Sequence, residues 1–112
     1  MLTEKTIEKL KEISELKEDW DGYGASPFSD KVIDNTRTVL SYLCFEPELY
    51  PTGRESIQFE YGDDKNRIEL EVFEDGGEYG IIKNFEYIEF DEPITIEDCV
   101  AVLNDFYSKN KK

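Results

Sequence analysis

Carboxylates are the commonest reactive groups in this chain of 112 residues, which has 27 Asp and Glu, 13 Lys and Arg, two cysteines and no histidine. Without histidine the chain lacks the commonest general base, the usual zinc ligand and every His-dependent triad. Neither Cys44 nor Cys99 has a basic neighbour in sequence to favour a thiolate. Both fall on apolar helical stripes, where a small buried thiol is the usual role, so we expect reduced cysteines, no disulfide framework and a cytoplasmic setting. There is no phosphate-binding glycine loop with its lysine and no dinucleotide fingerprint. Chance acid pairs are easy to find among so many carboxylates, so a carboxylate dyad is not a specific signal. The expectation is a chain with no catalytic residues and no cofactor.

One stretch has metal-ligand spacing. Asp19, Asp21, Tyr23, Gly24 and Asp30 occupy positions 1, 3, 5, 6 and 12 of a calcium loop between two helices, with the required glycine at position 6. Tyr23 is a poor ligand, Asp30 is shorter than the usual bidentate Glu, and Pro27 stands at position 9. Asp30 is better explained as a first-turn acid of a helix capped by Ser29. A calcium module or small metal-dependent enzyme is therefore the weakest of three functional readings, and no metal ligands are assigned.

Charge is distributed unevenly. From Glu46 to Asp98 there are 17 acids against four bases, Arg54, Lys65, Arg67 and Lys83, while the first 45 residues are near balance. A field of this sign repels phosphate backbones, which disfavours direct nucleic-acid binding, and it suits a basic protein partner. The bland alternative is that the charge only keeps the protein soluble.

The elements that must position these residues follow from periodicity. Thr3 is placed to cap a first helix running to about Leu16, with Ile7, Leu10, Ile13 and Leu16 as a narrow apolar stripe. Trp20-Asp21-Gly22-Tyr23-Gly24-Ala25 then reads as a compact loop. In it Trp20 either anchors the turn while Asp21 caps local amides, or joins Tyr23 as a rigid aromatic contact for a partner. A second helix, about Asp30 to Cys44, has an apolar set from Val32 to Leu43 that fits i, i+3, i+4, i+7, and Phe28 could staple its entry against Ile33. Pro47 and Pro51 bracket a connection, Phe45 to Arg54, that cannot be helical.

Strand periodicity begins at Ile57. Ile57, Phe59 and Tyr61 alternate with polar residues, as do Ile68, Leu70 and Val72, and Gly62 to Asn66 is turn chemistry, so the pair predicts an antiparallel hairpin. Asp75-Gly76-Gly77 turns into a third strand, Tyr79 to Lys83, and a fourth covers about Glu86 to Phe90, although Asn84-Phe85 is a weak turn signal. Pro93 is expected to end the sheet. Thr95 and Asp98 read as a capping box, with Ile94 stapling Cys99, for a last helix from Ile96 to about Tyr107 that buries Val100, Leu103, Phe106 and Tyr107.

The predicted fold is one α+β domain over 1–112. It comprises a two-layer antiparallel β-meander of three to four strands with helices packed on one face, order ααββββα. The helical half spans 1–45, the acidic sheet 46–93 and the C-terminal helix 94–108, with 109–112 a frayed tail. No segment approaches the ~20 apolar residues of a membrane span, and the start MLTEKTIEKLKE lacks a signal-peptide core.

If the apolar set faces the helices, Gln58, Glu60, Arg67, Glu69, Glu71 and Phe73 point the other way, because the side-chain period is two. Phe73 is out of place there unless something covers it or it is a contact residue. The candidate partner-binding residues are therefore Gln58, Glu60, Glu69, Glu71 and Phe73. The turn acids Asp63, Asp64, Glu74 and Asp75 join them, with Trp20 and Tyr23 from the loop. An exposed edge strand or Phe73 could also mediate a homodimer.

Two segments resemble a known group. Glu18-Asp19-Trp20-Asp21-Gly22-Tyr23-Gly24-Ala25 followed by a proline, and Pro51-Thr52-Gly53 leading into Ile57-Gln58-Phe59-Glu60-Tyr61, are similar to a set of small uncharacterised bacterial proteins. Those share a W-D-G-Y-G-A loop and a P-x-G turn into an I-x-(L/F)-E-(W/Y) strand, and some are encoded near toxin–antitoxin or mobile-element genes. This chain carries two extra residues, Arg54-Glu55, before the strand. The resemblance implies a bacterial or phage cytoplasmic protein with a partner-binding role, and it brings no catalytic residues. The first functional expectation is thus a non-catalytic interaction domain of antitoxin, immunity or inhibitor type that neutralises a basic protein. The second is a phage-type mimic of nucleic acid that blocks a DNA- or RNA-binding enzyme.

Overall fold

A computed structural model describes residues 1–111. Its order is α1 (Glu4–Ser14), α2 (Asp30–Tyr42), β1 (Glu48–Pro51), β2 (Ile57–Gly62), β3 (Asn66–Phe73), β4 (Gly76–Lys83), β5 (Glu86–Ile94) and α3 (Ile96–Asn110). The five strands form one antiparallel sheet in sequence order, a meander. Helices α2 and α3 pack over β3, α3 reaches β4, and α1 lies beside β1. The α+β class and the helix-helix-strands-helix order agree with the sequence reading, but the strand count does not: there are five, not three to four.

The extra strand is β1, inside the proline-bracketed stretch expected to be a plain connection. Four residues suffice because Leu49 is buried opposite Phe59, and Pro51 closes an edge strand, where a missing N–H is tolerated. The same reasoning corrects the far end. β5 runs through Pro93 to Ile94, because the register shifts between Gly77 and Tyr79 and β5 is the other edge. Asn84 and Phe85 make the tight turn into β5 with φ of 51° and 70°, a left-handed pair of the kind two-residue hairpins require.

Register builds the helix-facing side of the sheet in three rows, buried in the middle and exposed at two of their β5 ends, Ile88 and Phe90. Leu49–Phe59–Leu70–Tyr79–Phe90 crosses all five strands, flanked by Ile57–Val72–Gly77–Ile94 and Tyr61–Ile68–Ile81–Ile88. The helices close over these rows with Leu10, Ile13, Val32, Val39, Leu40, Cys99 and Leu103. The second row narrows to a glycine for a reason. A Cβ on Gly77 would collide with the Cys99 thiol of α3.

The caps at Thr3, Ser29 and Thr95 all form. The α1 stripe is as expected at Leu10, Ile13 and Leu16 but begins at Thr6 instead of Ile7. Thr6, Leu10 and Ile13 are buried, whereas Ile7 is 54% exposed. Thr6 can be buried because its hydroxyl bonds within the cap, donating to the carbonyls of Met1 or Thr3. In α3 the buried set is Cys99, Leu103 and Phe106, with Val100 and Tyr107 half-buried, and the helix continues past the expected end. Of the expected frayed tail, 109–110 are helical, and residue 112 lies outside the described residues.

Cys44 is a second correction. Helix α2 ends at Tyr42 and Leu43 turns to extended backbone, so Cys44 leaves the stripe and is exposed. Its N–H donates to Asn104 Oδ1 at 2.9 Å, while Asn104 Nδ2 donates to the Tyr42 carbonyl at 3.1 Å. An α3 side chain thus satisfies the end of α2.

One buried polar group in the core lacks a partner. Thr36 is fully buried in α2 and its Oγ1 has no hydrogen-bond partner. Such a hydroxyl loses its water without compensation. Thr36→Val keeps the β-branched shape, and urea unfolding is expected to show the variant more stable by about 1 kcal/mol. An unchanged or lower stability would show that the hydroxyl is satisfied.

Candidate functional site

The outer face of the sheet, away from the helices, carries the predicted acids in register. One row runs Glu48–Glu60–Glu69–Gly80–Glu89, and the next runs Tyr50–Gln58–Glu71–Glu78. Like charges directly opposite one another destabilise a ladder, so these rows need donors between them. Two arginines supply most of them.

Arg67, from the β2–β3 hairpin, lies 3.0 Å from Glu69, 3.8 Å from Glu60 and 3.5 Å from Asp64. Gln58 Nε2 donates to Glu60 at 2.7 Å. Arg54, in the loop before β2, holds Glu71 at 2.9 Å and Glu78 at 3.2 Å, and Ser56 donates a further bond to Glu71 at 2.8 Å. The same guanidinium sits 5.3 Å over the Phe73 ring. That answers the question Phe73 posed: Arg54 covers it, and the ring is half-buried.

The face is therefore an ordered, partly neutralised array rather than a bare field. Of the six glutamates in these rows, Glu60, Glu69, Glu71 and Glu78 hold the two guanidiniums, and Lys5 of α1 reaches Glu48 at the β1 edge. Where Gly80 interrupts the carboxylate row, a hollow of about 170 Å³ forms among Glu69, Glu71, Glu78 and Glu89. The Tyr87 ring lies across Gly80 at its margin. At the turn end of the β2–β3 hairpin a larger cleft, about 650 Å³, lies between Glu46, Glu48, Asp63 and Asp64 and the rings of Tyr50, Tyr61 and Tyr107.

The turn acids divide by location. Asp63 accepts from the amides of Lys65 and Asn66 and so builds its turn, and Asp64 extends toward Arg67. Glu74 and Asp75 are exposed at the opposite end, where Asn35 of α2 holds the carbonyls of Phe73 and Glu74.

The aromatic loop separates into its two candidate roles. Trp20 is half-buried against the core, with its Nε1 donating to the Ser26 carbonyl at 3.1 Å and its ring tilted on Phe28 at 5.8 Å. It anchors the loop. Tyr23 is 93% exposed and stays available to a partner. Asp21 accepts from Tyr23 and Ala25, and Asp19, in left-handed backbone at φ 62°, accepts from Gly24 at 2.6 Å. Two of the three carboxylates with calcium-loop spacing are thus turned onto the loop's own amides, and the third, Asp30, stands in the first turn of α2. Among the described residues no group of three or more acids or cysteines has metal-holding geometry.

Of the cysteines, Cys99 is fully buried, and burial, aided by the Asp98 carboxylate, pushes its thiol up to about 12. Sequence reasoning missed the clamps made by Arg54, because Glu71 and Glu78 are 17 and 24 residues away in the chain. It also missed Glu48, Glu78 and Glu89 as face residues. Among the described residues no helix is long and apolar enough to cross a membrane. Compared with protein-family models, curated proteins and solved structures, the chain shows no significant match.

Proposed function

We propose that this chain is a non-catalytic interaction domain, of antitoxin, immunity or inhibitor type, that neutralises a basic partner protein. The observation that carries the reading is the outer sheet face, where six glutamates stand in register against two arginines. The arginines and Gln58 fix four of the glutamates, Glu60, Glu69, Glu71 and Glu78, so a partner's cations meet acceptors that are already ordered, and little side-chain entropy is lost on docking there. The hollow beside Gly80, lined by four glutamates together with Arg54 and Tyr87, gives a lysine or arginine side chain a place to enter on the Glu69 and Glu89 side, which Arg54 does not reach. The resemblance to bacterial proteins encoded near toxin–antitoxin or mobile-element genes supports the same reading and a cytoplasmic setting. Mimicry of nucleic acid has less support, because cross-strand glutamates clamped by guanidiniums do not make a continuous line of free charge.

Affinity purification from the native host with the intact chain tests the proposal. A basic protein is expected at low salt and should be lost near 1 M salt, where the Debye length falls to about 3 Å. Reversing Glu69 and Glu89 to lysine should slow association by roughly tenfold or more at low salt, with the melting temperature as the control for folding. Recovery of no basic protein at either salt would refute it.

A further inference from the structure

The two edges of the sheet are built differently. β1 is four residues long, ends in Pro51 and has α1 beside it, which blunts it in the usual way. β5 is nine residues long and pairs only with β4. Its other edge has no neighbouring strand among the described residues. Side chains on both of its faces are apolar and exposed: Ile88 (44%) and Phe90 (39%) toward the helical layer, and Tyr87 (56%) on the outer face. Phe85 at the hairpin tip is 72% exposed. Four large hydrophobics within six residues, at an unpaired backbone edge, are a surface that soluble proteins ordinarily guard.

Charge selects what the edge can take. Residues 84–92 include Glu86, Glu89, Asp91 and Glu92, with no lysine or arginine from Asn84 to Ser108. A second copy pairing here would place two such strands side by side and bring their glutamates together on one ribbon, the arrangement cross-strand repulsion disfavours. A strand with alternating apolar and basic residues has the opposite fit. Its apolar side chains would cover Ile88 and Phe90, and its cations would lie along Glu89 and the hollow over Gly80.

We infer that the β5 edge is where the basic partner docks, by adding an extended Lys- or Arg-bearing segment as a sixth strand. This rests on the reading of the chain as a binder of a basic protein, and it specifies backbone pairing where that reading requires only charge.

Amide hydrogen exchange of the intact chain, read by NMR, provides the test. The probes are a ten-residue alternating Val-Lys peptide, the same peptide N-methylated at alternate residues so that it cannot pair, and a Val-Glu counterpart. The Val-Lys peptide is expected to slow exchange of β5 amides at least tenfold, leaving β1 amides unchanged. The N-methylated peptide should bind at least tenfold more weakly, and the Val-Glu peptide should not bind. Ile88→Lys, which guards the edge without touching the outer face, should weaken Val-Lys binding at least tenfold at an unchanged melting temperature. Equal binding of the N-methylated peptide, with no change at β5, would overturn the strand-addition inference and leave the basic-partner reading standing. Protection at β1 or the hairpin cleft instead of β5 would overturn it too. So would a free protein that sediments as a dimer with β5 already protected. Failure of every peptide would overturn the edge as the docking site, and the basic-partner reading would then stand or fall on the affinity purification.

Discussion

Truncating Phe59 to alanine is expected to destabilise the fold by about 3–5 kcal/mol, the largest effect of any single core truncation proposed here. Phe59 is fully buried in the middle of β2. It lies at the centre of the row that crosses every strand, with Leu49 opposite on one side and Leu70 on the other. Removing the ring takes away apolar burial and leaves a cavity between two neighbours that the sheet registers hold in place, so the site cannot collapse. A domain of this size has a total stability of roughly 5–15 kcal/mol, and the variant should sit close to its unfolding transition at room temperature. Equilibrium urea unfolding measures this. A loss under about 1.5 kcal/mol would mean that the sheet repacks around the gap and that the five-strand row is not the central support.

Effects of local origin were legible in the sequence. The alternation of Ile57, Phe59 and Tyr61 and of Ile68, Leu70 and Val72 predicts the β2–β3 hairpin and its apolar face, since a one-residue slip would turn each apolar side chain to the wrong face, while the exact register needs the turn. The caps at Thr3, Ser29 and Thr95 were visible because a cap is decided within three residues. What was not legible depends on partners distant in sequence. β1 is too short to show a period and is a strand only because Phe59 and Ile57 lie beside it. Cys44 leaves its stripe because Asn104, 60 residues away, holds the end of α2. Parity placed Glu60, Glu69 and Glu71 on the outer face, but it left out Glu48, Glu78 and Glu89 on strands whose register was not read, and parity does not show pairing. Arg54 comes from a loop, so nothing in its local sequence marked it as the residue that covers Phe73 and neutralises Glu71 and Glu78. The acidic half of the chain is thus less bare than its composition implies, and the apolar edge at β5 is more so.

Cys99 packs α3 against Gly77 of β4, and its proton should make stability depend on pH in the alkaline range. Burial, with a smaller contribution from the Asp98 carboxylate, raises the folded thiol from the ordinary 9.0 to about 12. The stabilising contribution of the neutral thiol is therefore complete below pH 9. Between the two values the unfolded chain has released the proton and the folded chain still holds it, so unfolding is favoured as pH rises, by about 1.4 kcal/mol per pH unit. The loss ends near pH 12, where the folded thiol would itself ionise, and reaches on the order of 4 kcal/mol in full. Tyrosines and lysines titrate in the same window, so the comparison is with Cys99→Ala, which retains all of them. The wild type is expected to be the more stable protein at pH 8, and its advantage should shrink steadily from pH 9 upward. Parallel curves across that range would show that the thiol is hydrated in the folded state. The geometry argues otherwise: Gly77 of β4 leaves no room for a Cβ beside Sγ, and Ile94 at the end of β5 borders the same spot. A thiolate formed there could be hydrated only if α3 parts from the sheet where β5 ends, and loss of the Cys99 proton should therefore loosen β5 before it unfolds the rest.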